Sequence, residues 1–236
     1  MELKTFNYDN AMQSDSVVVL YAGPSVSKNC DRINKYIKEN NSIVIGSNYN
    51  YENIGLTSRY TYMANDFKLI ENIAKINNDV IVPGRIFSGE IDPKITRKFI
   101  RRHMSSGFSV YMTGKPKDKT TYSIKSGIID VERDGCLPYG RLSSAGHGCM
   151  FLSLVLRPKK VLFIGLDGPT DATCEKKIMF DGKVQNYGKP QKNENFKRHF
   201  VDVVLPSLFS RNIVIETFDD VAMYGLDKKS LNIGVI

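Results

Sequence analysis

Cysteine is scarce in this chain of 236 residues. Cys30, Cys136, Cys149 and Cys174 are scattered and form no C-x-x-C pair. That excludes the spacing of a zinc site or a disulfide framework, and a reducing, cytoplasmic setting is expected. No apolar run approaches the roughly 20 residues that span a bilayer. The opening residues, MELKTFNYDN, lack a basic region followed by an apolar core, so no secretory signal is expected. There is no internal repeat and no low-complexity linker. The first glycine turn, at Gly23, fits neither the G-x-G-x-x-G nor the P-loop fingerprint.

Basic charge is in surplus. Lys and Arg number 33 against 25 Asp and Glu, a formal net charge of +8. Such a chain favours anionic partners, whether a nucleotide, a nucleic acid or an acidic membrane surface. Apart from residues 97–98, 101–102 and 115–119 the basic residues are spread out, with no aromatic-interleaved motif of the RNA-binding kind. A specific nucleic-acid partner is therefore not expected; most of these charges read as solvated basic faces, with peripheral contact with an acidic membrane as the other reading. Hydrophobic content of 42% and charged content of 25% are ordinary for a globular protein. The length suits a single domain over residues 1–236 with a proper core.

The chain is organised around residues 16–37. Val17, Val18, Val19, Leu20 and Tyr21 form the unbroken apolar run of a strand buried on both faces of a parallel sheet. It ends in Ala22-Gly23-Pro24-Ser25, after which Cys30, Ile33, Tyr36 and Ile37 recur at helical spacing, with Ser27 as the expected cap. A strand, tight turn and helix in this order direct backbone N–H groups and a positive helix end at one spot, where a phosphate is stabilised. The turn is also accounted for if Gly and Pro serve only its shape.

Further strands are expected at residues 42–45, 58–64, 79–82, 108–112, 159–164 and 212–216. Between them lie helices at 67–76, capped by Asp66, at 93–104 with Ile95, Phe99 and Ile100 inward, at 144–156 behind Ser143 or Ser144, and at 193–209. Strands alternating with helices imply an α/β, Rossmann-like three-layer sandwich with a mostly parallel sheet. The polar, Lys- and Gly-rich stretch 168–192 is long for a plain connection and is expected to act as a lid. His103, at the end of an Arg-rich helix, is expected on the surface.

Sheets of this kind bind ligands at the carboxyl ends of their strands. The residues that follow the strands are Gly23, Pro24 and Ser25, then Asn48, Asn65 and Asp167, with Ser144 and Gly146 at a helix start just before the strand that precedes Asp167. Asparagine both donates and accepts, which suits a pyrimidine edge, a ribose or a phosphate. Asn and Asp also end strands simply because they make good turns. The ordered set, more than any member, suggests a nucleotide rim.

The set resembles the bacterial CMP-sialic-acid-dependent sialyltransferases of glycosyltransferase family 42. Ala22-Gly23-Pro24-Ser25 is similar to that family's first turn, and residues 47–53 (SNYNYEN) to its segment after the second strand. Asn65 stands where the family has a second asparagine. Ser144-Ala145-Gly146 followed by residues 160–167 (KVLFIGLD) matches in order and spacing. The likeness covers residues 16 to 215 and is weak between motifs. It implies that Asn48 and Asn65 contact the nucleotide, that Ser25 and the Gly146 N–H lie near phosphate or ribose, and that Asp167 holds sugar or cytidine groups. It also implies metal-independent, inverting transfer to a surface glycan, with no cofactor beyond the nucleotide-sugar donor; no D-x-D motif occurs.

Three features depart from that family. Ala22 replaces a polar residue, Gly168-Pro169 stands where a tyrosine pair would follow Asp167, and residues 186–191 contain no histidine. The candidate bases are therefore Tyr187, His199 and His147, with Lys189 and Lys192 to stabilise the departing phosphate. The turn also resembles domain-of-unknown-function 115 proteins, which would imply a Mg²⁺-dependent phospho- or diphosphotransferase using Asp167 and Asp171. A third reading is a non-catalytic nucleotide-binding adaptor.

Overall fold

A computed structural model describes residues 3–84, 86, 91–114, 144–168, 176–186 and 190–236. The strands are β1 (Lys4–Thr5), β2 (Ser16–Leu20), β3 (Ile43–Ser47), β4 (Tyr60–Tyr62), β5 (Asp79–Pro83), β6 (Val110–Thr113), β7 (Lys160–Ile164), β8 (Lys176–Ile178), β9 (Val184–Asn186), β10 (Val214–Thr217) and β11 (Gly234–Val235). Nine of them form one sheet in the order β1-β6-β5-β4-β3-β2-β7-β10-β11, and every pairing is parallel. The helices are α1 (Ser25–Lys28), α2 (Cys30–Asn40), α3 (Asp66–Asn72), α4 (Pro93–Ser105), α5 (Ala145–Val155), α6 (Pro190–His199) and α7 (Leu205–Phe209). They give the Rossmann-like α/β sandwich that the alternating pattern predicts.

All five residues of β2 are buried, so both of its faces are covered. Val17, Val18, Val19 and Leu20 are fully inaccessible, and each such side chain contributes roughly 1.5–3 kcal/mol of burial. Ile33 and Tyr36 of α2, and residues 149–155 of α5 apart from Ser153, join β2 and β7 in one core cluster. A smaller cluster places Leu69, Ile73 and Ile100 against β5 and β6. From β2 the chain steps outward through β3, β4, β5 and β6. It then returns to place β7 on the other side of β2. The strand order therefore reverses between β2 and β7.

The fold departs from the sequence pattern at several points. The helix after Gly23 is broken at Asn29 into α1 and α2, because Asn29 turns its amide to Ser25 O and to Asp220. Ser27 does not cap it; its hydroxyl donates to Pro24 O. Asn65, not Asp66, caps α3 by accepting from Lys68 N at 2.8 Å. On α4 Ile100 faces inward as expected, with Phe99 packed against the same cluster, but Thr96 is fully buried where Ile95 was expected, and Ile95 is 45% exposed. The strand expected over 58–64 is regular only at β4. The two-residue strands β1 and β11, too short to show a period, close the sheet's edges. His103 is buried, not superficial: its Nε2 lies 3.0 Å from Asn78 O, its ring stacks on Phe108, and burial pushes its pKa down.

Residues 176–186 fall within the expected lid and form an antiparallel hairpin of β8 and β9. Among the described residues no helix is long and apolar enough to cross a membrane.

Candidate functional site

Two glycine turns meet at the strand-order reversal. Beyond β2, Tyr21 N donates to Ile164 O at 2.8 Å and Gly23 N to Gly165 O at 2.9 Å, so the turns run side by side. Gly165 and Gly168 have φ of +88° and +85°, in the left-handed region that side chains avoid. A Cβ on Gly23 would lie 2.1 Å from Asp167 Oδ2 and 2.5 Å from Gly165 O, so nothing larger than hydrogen fits.

Asp167 fills the space that this glycine leaves. Its Oδ2 accepts from Ser25 N at 3.0 Å and from Ser25 Oγ at 2.9 Å. Gly165 N in turn donates to Ser25 Oγ at 3.0 Å. The Val26 N–H goes to Gly23 O. These donors of the first turn are thus committed within the protein, and a carboxylate stands beside the turn where the anion was expected. A phosphate reaching Ser25 N would have to displace it. Among the described residues Asp167 Oδ1 has no hydrogen-bond partner and remains an acceptor. Asp167 also acts at a distance on Lys228, whose Nζ donates to Phe218 O at 2.8 Å and whose pKa burial pushes down against the pull of Asp219, Asp220 and Asp167.

The remaining rim residues fall at the same sheet edge. Asn48, at φ 61°, donates its N–H to Tyr62 O, and its Oδ1 accepts from Ala64 N at 2.8 Å, tying the end of β3 to that of β4. Asn65 spends its Oδ1 on the α3 cap. Each asparagine thus has a structural role through its carbonyl, while its Nδ2 has no partner among the described residues. Ser144 Oγ caps α5 by accepting from His147 N at 3.2 Å. Gly146 lets the start of α5 lie directly on Tyr21, since a Cβ there would be 1.9 Å from the ring. Adjacent strands are about 4.8 Å apart, so the ends of β2, β3 and β4 span about 10 Å.

Of the expected bases, His147 and His199 lie together and are buried. Their Nδ1 atoms are 3.2 Å apart, and the residues are 1% and 6% exposed. His147 packs edge-on to Tyr21 and stacks on Phe200. An Nδ1–Nδ1 contact requires one ring to donate and the other to accept, which a doubly protonated pair cannot do. Burial lowers the His199 pKa, with Asp202 opposing. His199 ends α6 at a π-helical segment, Phe200–Val204; such segments recur at functional sites. Tyr187 and Lys189 lie outside the described residues, as do Asp171 and the side chain of Lys192. Among the described residues no three His, Cys, Asp or Glu side chains gather as metal ligands would.

Three buried aromatic residues, Tyr21, Tyr51 and Phe180, pack beside the two turns. Tyr51 is 1% exposed, and its hydroxyl lies within 3.2 Å of the carbonyls of Leu20, Tyr21 and Ser47. Phe180, at the hairpin turn, stacks on Tyr51 at 4.7 Å and donates its N–H to Ala22 O at 2.9 Å. Tyr21 buries a hydroxyl with no hydrogen-bond partner among the described residues. Only the aromatic content of residues 49–51, inside an otherwise polar run, hinted at Tyr51. A cavity of about 850 Å³ lies at the other end of the sheet, beside the amino ends of β3 and β4 and lined by Ser42, Ile43 and Arg59. It is remote from the edge at which such sheets bind ligands.

No known protein family matches the chain, and no curated protein sequence matches it. The solved structure of MAf glycosyltransferase from Magnetospirillum magneticum AMB-1 superposes on 91% of this chain at a TM-score of 0.53 and 11% identity. The match covers 33% of that longer chain, so this chain spans about a third of its length. At that identity the likeness establishes the shared fold.

Proposed function

We propose that the protein is a glycosyltransferase using a nucleotide-activated sugar, with a CMP-sialic-acid-type donor and a surface glycan as acceptor. One observation carries this reading. Two glycine-bearing turns meet at the reversal point of a parallel sheet, with an acceptor oxygen of Asp167 and the amides of Asn48 and Asn65 along one edge. The fold neighbour's name, a glycosyltransferase, supports the reaction class. Asp167 Oδ1 would accept from hydroxyls of the sugar or the amine of the base, and the two asparagine Nδ2 groups would donate to the nucleotide. In the transfer the acceptor oxygen attacks the anomeric carbon, the bond to the phosphate oxygen breaks, and a base takes the acceptor proton. Tyr187, His199 and His147 are the candidate bases and Lys189 and Lys192 the phosphate stabilisers. The reaction as proposed needs no metal and inverts the anomeric centre. It would take place in the cytoplasm or at its membrane face.

A second reading, nucleotide binding without transfer, is favoured by the burial of both histidines. A thermal-shift panel of CMP, CDP, UMP and AMP, with and without Mg²⁺, tests the binding that both share. A ligand at 100 times its Kd stabilises by about 2.7 kcal/mol, which for a chain of this size is roughly 5–11 °C. CMP is expected to give that shift, and Asn48→Ala, read against its own baseline, to abolish it. Release of CMP from CMP-sialic acid separates transfer from binding alone. No shift with any nucleotide refutes both readings.

A further inference from the structure

The proposed transfer makes no use of the outer face of α4. That helix reads PKITRKFIRRHMS and carries no acidic residue. Thr96, Ile100 and His103 are its buried side. At about 100° per residue, Lys94, Lys98, Arg101 and Arg102 fall within an arc of about 100° centred opposite that side. All four are exposed, and among the described residues none of them has an ion pair. Asp92, the nearest carboxylate in sequence, stands at the helix start, where its Oδ1 accepts from Lys94 N at 2.8 Å.

A face that is only solvated mixes its charges. Thus α2 pairs Lys35 with Glu39, α3 pairs Lys68 with Glu71, and α6 pairs Lys197 with Glu194. The arc on α4 does the opposite. Lys94 and Lys98, and again Lys98 and Arg102, stand four residues apart, a spacing at which like charges repel across a helix surface. An anionic partner laid along the arc relieves that repulsion.

The margins of the arc indicate which anion. Ile95, 45% exposed, borders it on one side and Met104, 39% exposed, on the other. Apolar groups beside lysine and arginine suit a lipid surface, where they reach the acyl boundary while the cations meet headgroup phosphates. A cluster of about four to eight basic residues on an amphipathic helix is a recurring mark of anionic-lipid recognition. Phe99, the helix's one aromatic side chain besides His103, packs against the core and is not offered to a base for stacking.

We propose that α4 is a docking face for an anionic lipid bilayer, with Lys94, Lys98, Arg101 and Arg102 meeting the lipid phosphates and Ile95 and Met104 at the margins of the contact. The proposal stands on α4 alone and does not require the transferase reading.

The test is cosedimentation of the full chain with vesicles of phosphatidylcholine alone and of phosphatidylcholine mixed with phosphatidylglycerol. Binding is expected to the mixed vesicles only. It is expected to be lost between about 0.1 M and about 1 M NaCl, as the screening length falls from about 10 Å to about 3 Å. Each basic residue at such a surface is worth about fivefold in affinity, so Lys98→Gln/Arg101→Gln is expected to weaken binding about 25-fold. Lys94→Gln/Arg102→Gln is an independent pair with the same expected loss, should the first fail to fold. Lys197→Gln/Arg198→Gln on α6 removes equal charge and is expected to leave binding within about twofold. Equal binding to both kinds of vesicle, no loss in the folded α4 variants, or as large a loss in the α6 variant overturns the proposal. So does duplex DNA that binds the wild type and not the α4 variants while vesicles bind neither, which makes the face a nucleic-acid site. The CMP thermal shift on the same proteins separates the two questions. A shift without vesicle binding removes the docking face and leaves the transferase. Vesicle binding without any nucleotide shift keeps the docking face and removes the transferase.

Discussion

If Asp167 holds the first turn in place of an anion, removing its carboxylate should both loosen the fold and create an anion site. Asp167→Ala deprives Ser25 N and Ser25 Oγ of their acceptor, and Ser25 is only 2% exposed. Hydrogen bonds to charged groups are worth about 1.5–3 kcal/mol net. Asp167 is half-buried, so the pair is expected to total about 2–4 kcal/mol. At about 2–4 °C per kcal/mol for a chain of 150–250 residues, the melting temperature falls by roughly 4–16 °C. Asp167→Asn keeps one oxygen acceptor and should lose only about 1 kcal/mol. Urea denaturation followed by circular dichroism, for Asp167→Ala, Ser25→Ala and the double variant, gives the coupling energy, expected at about 1–2 kcal/mol. Phosphate should then stabilise Asp167→Ala more than the wild type, because the freed Ser25 N–H again faces a vacant position. Strictly additive single variants, or an Asp167→Ala within 0.5 kcal/mol of wild type (about the error of additivity), would refute the reasoning.

Two further outcomes follow from the packing. Gly146→Ala should gain about 1 kcal/mol of helix propensity yet lose more, since its Cβ would lie 1.9 Å from the Tyr21 ring and overpacking costs about 1–3 kcal/mol; a melting temperature at or above wild type contradicts this. His103 and His199 both have pKa values lowered by burial, so the unfolded chain binds their protons first. Stability is full above about pH 6.5 and declines as pH falls below it, at up to about 1.4 kcal/mol per pH unit for each histidine. Melting curves at pH 7.5 and 5.5 check the sign, and His103→Gln should reduce the slope.

What could be read from the sequence was what repeats locally. The residues of β2 and β7 are apolar throughout because both faces are covered, and that composition identifies a central parallel strand without any partner in view. The turn at Gly23 was visible for the same reason, since Gly and Pro punctuate a chain wherever it lies. The pairing of Ser25 with Asp167 was not visible, because the two are 142 residues apart. A loop that offers N–H groups looks the same whether a phosphate or the protein's own carboxylate receives them. The positions of Asn48 and Asn65 at one edge were legible as strand ends, but their structural duties were not; a cap and a strap are both made with the carbonyl oxygen. His103 was misplaced because an Arg-rich helix end looks solvated, although only one face of α4 is. Thr96, not Ile95, faces inward because the phase of the helix is set by packing against β5 and β6, not by its most apolar residue. Tyr51 was hidden by its polar neighbours.

The reversal of strand order also constrains how the molecule forms. Strands β2 to β6 are joined by short stretches of chain and can pair in succession. The partner of Ser16, by contrast, is Lys160, and contacts between residues so distant in sequence form late and slowly because a long loop must close first. During synthesis one half of the sheet can therefore assemble on the ribosome while β2 still presents a bare flank. The crevice comes into being only when β7 emerges and is seated there, so a nascent chain truncated before β7 would hold most of the scaffold but lack the Gly165 turn and Asp167 that complete the site.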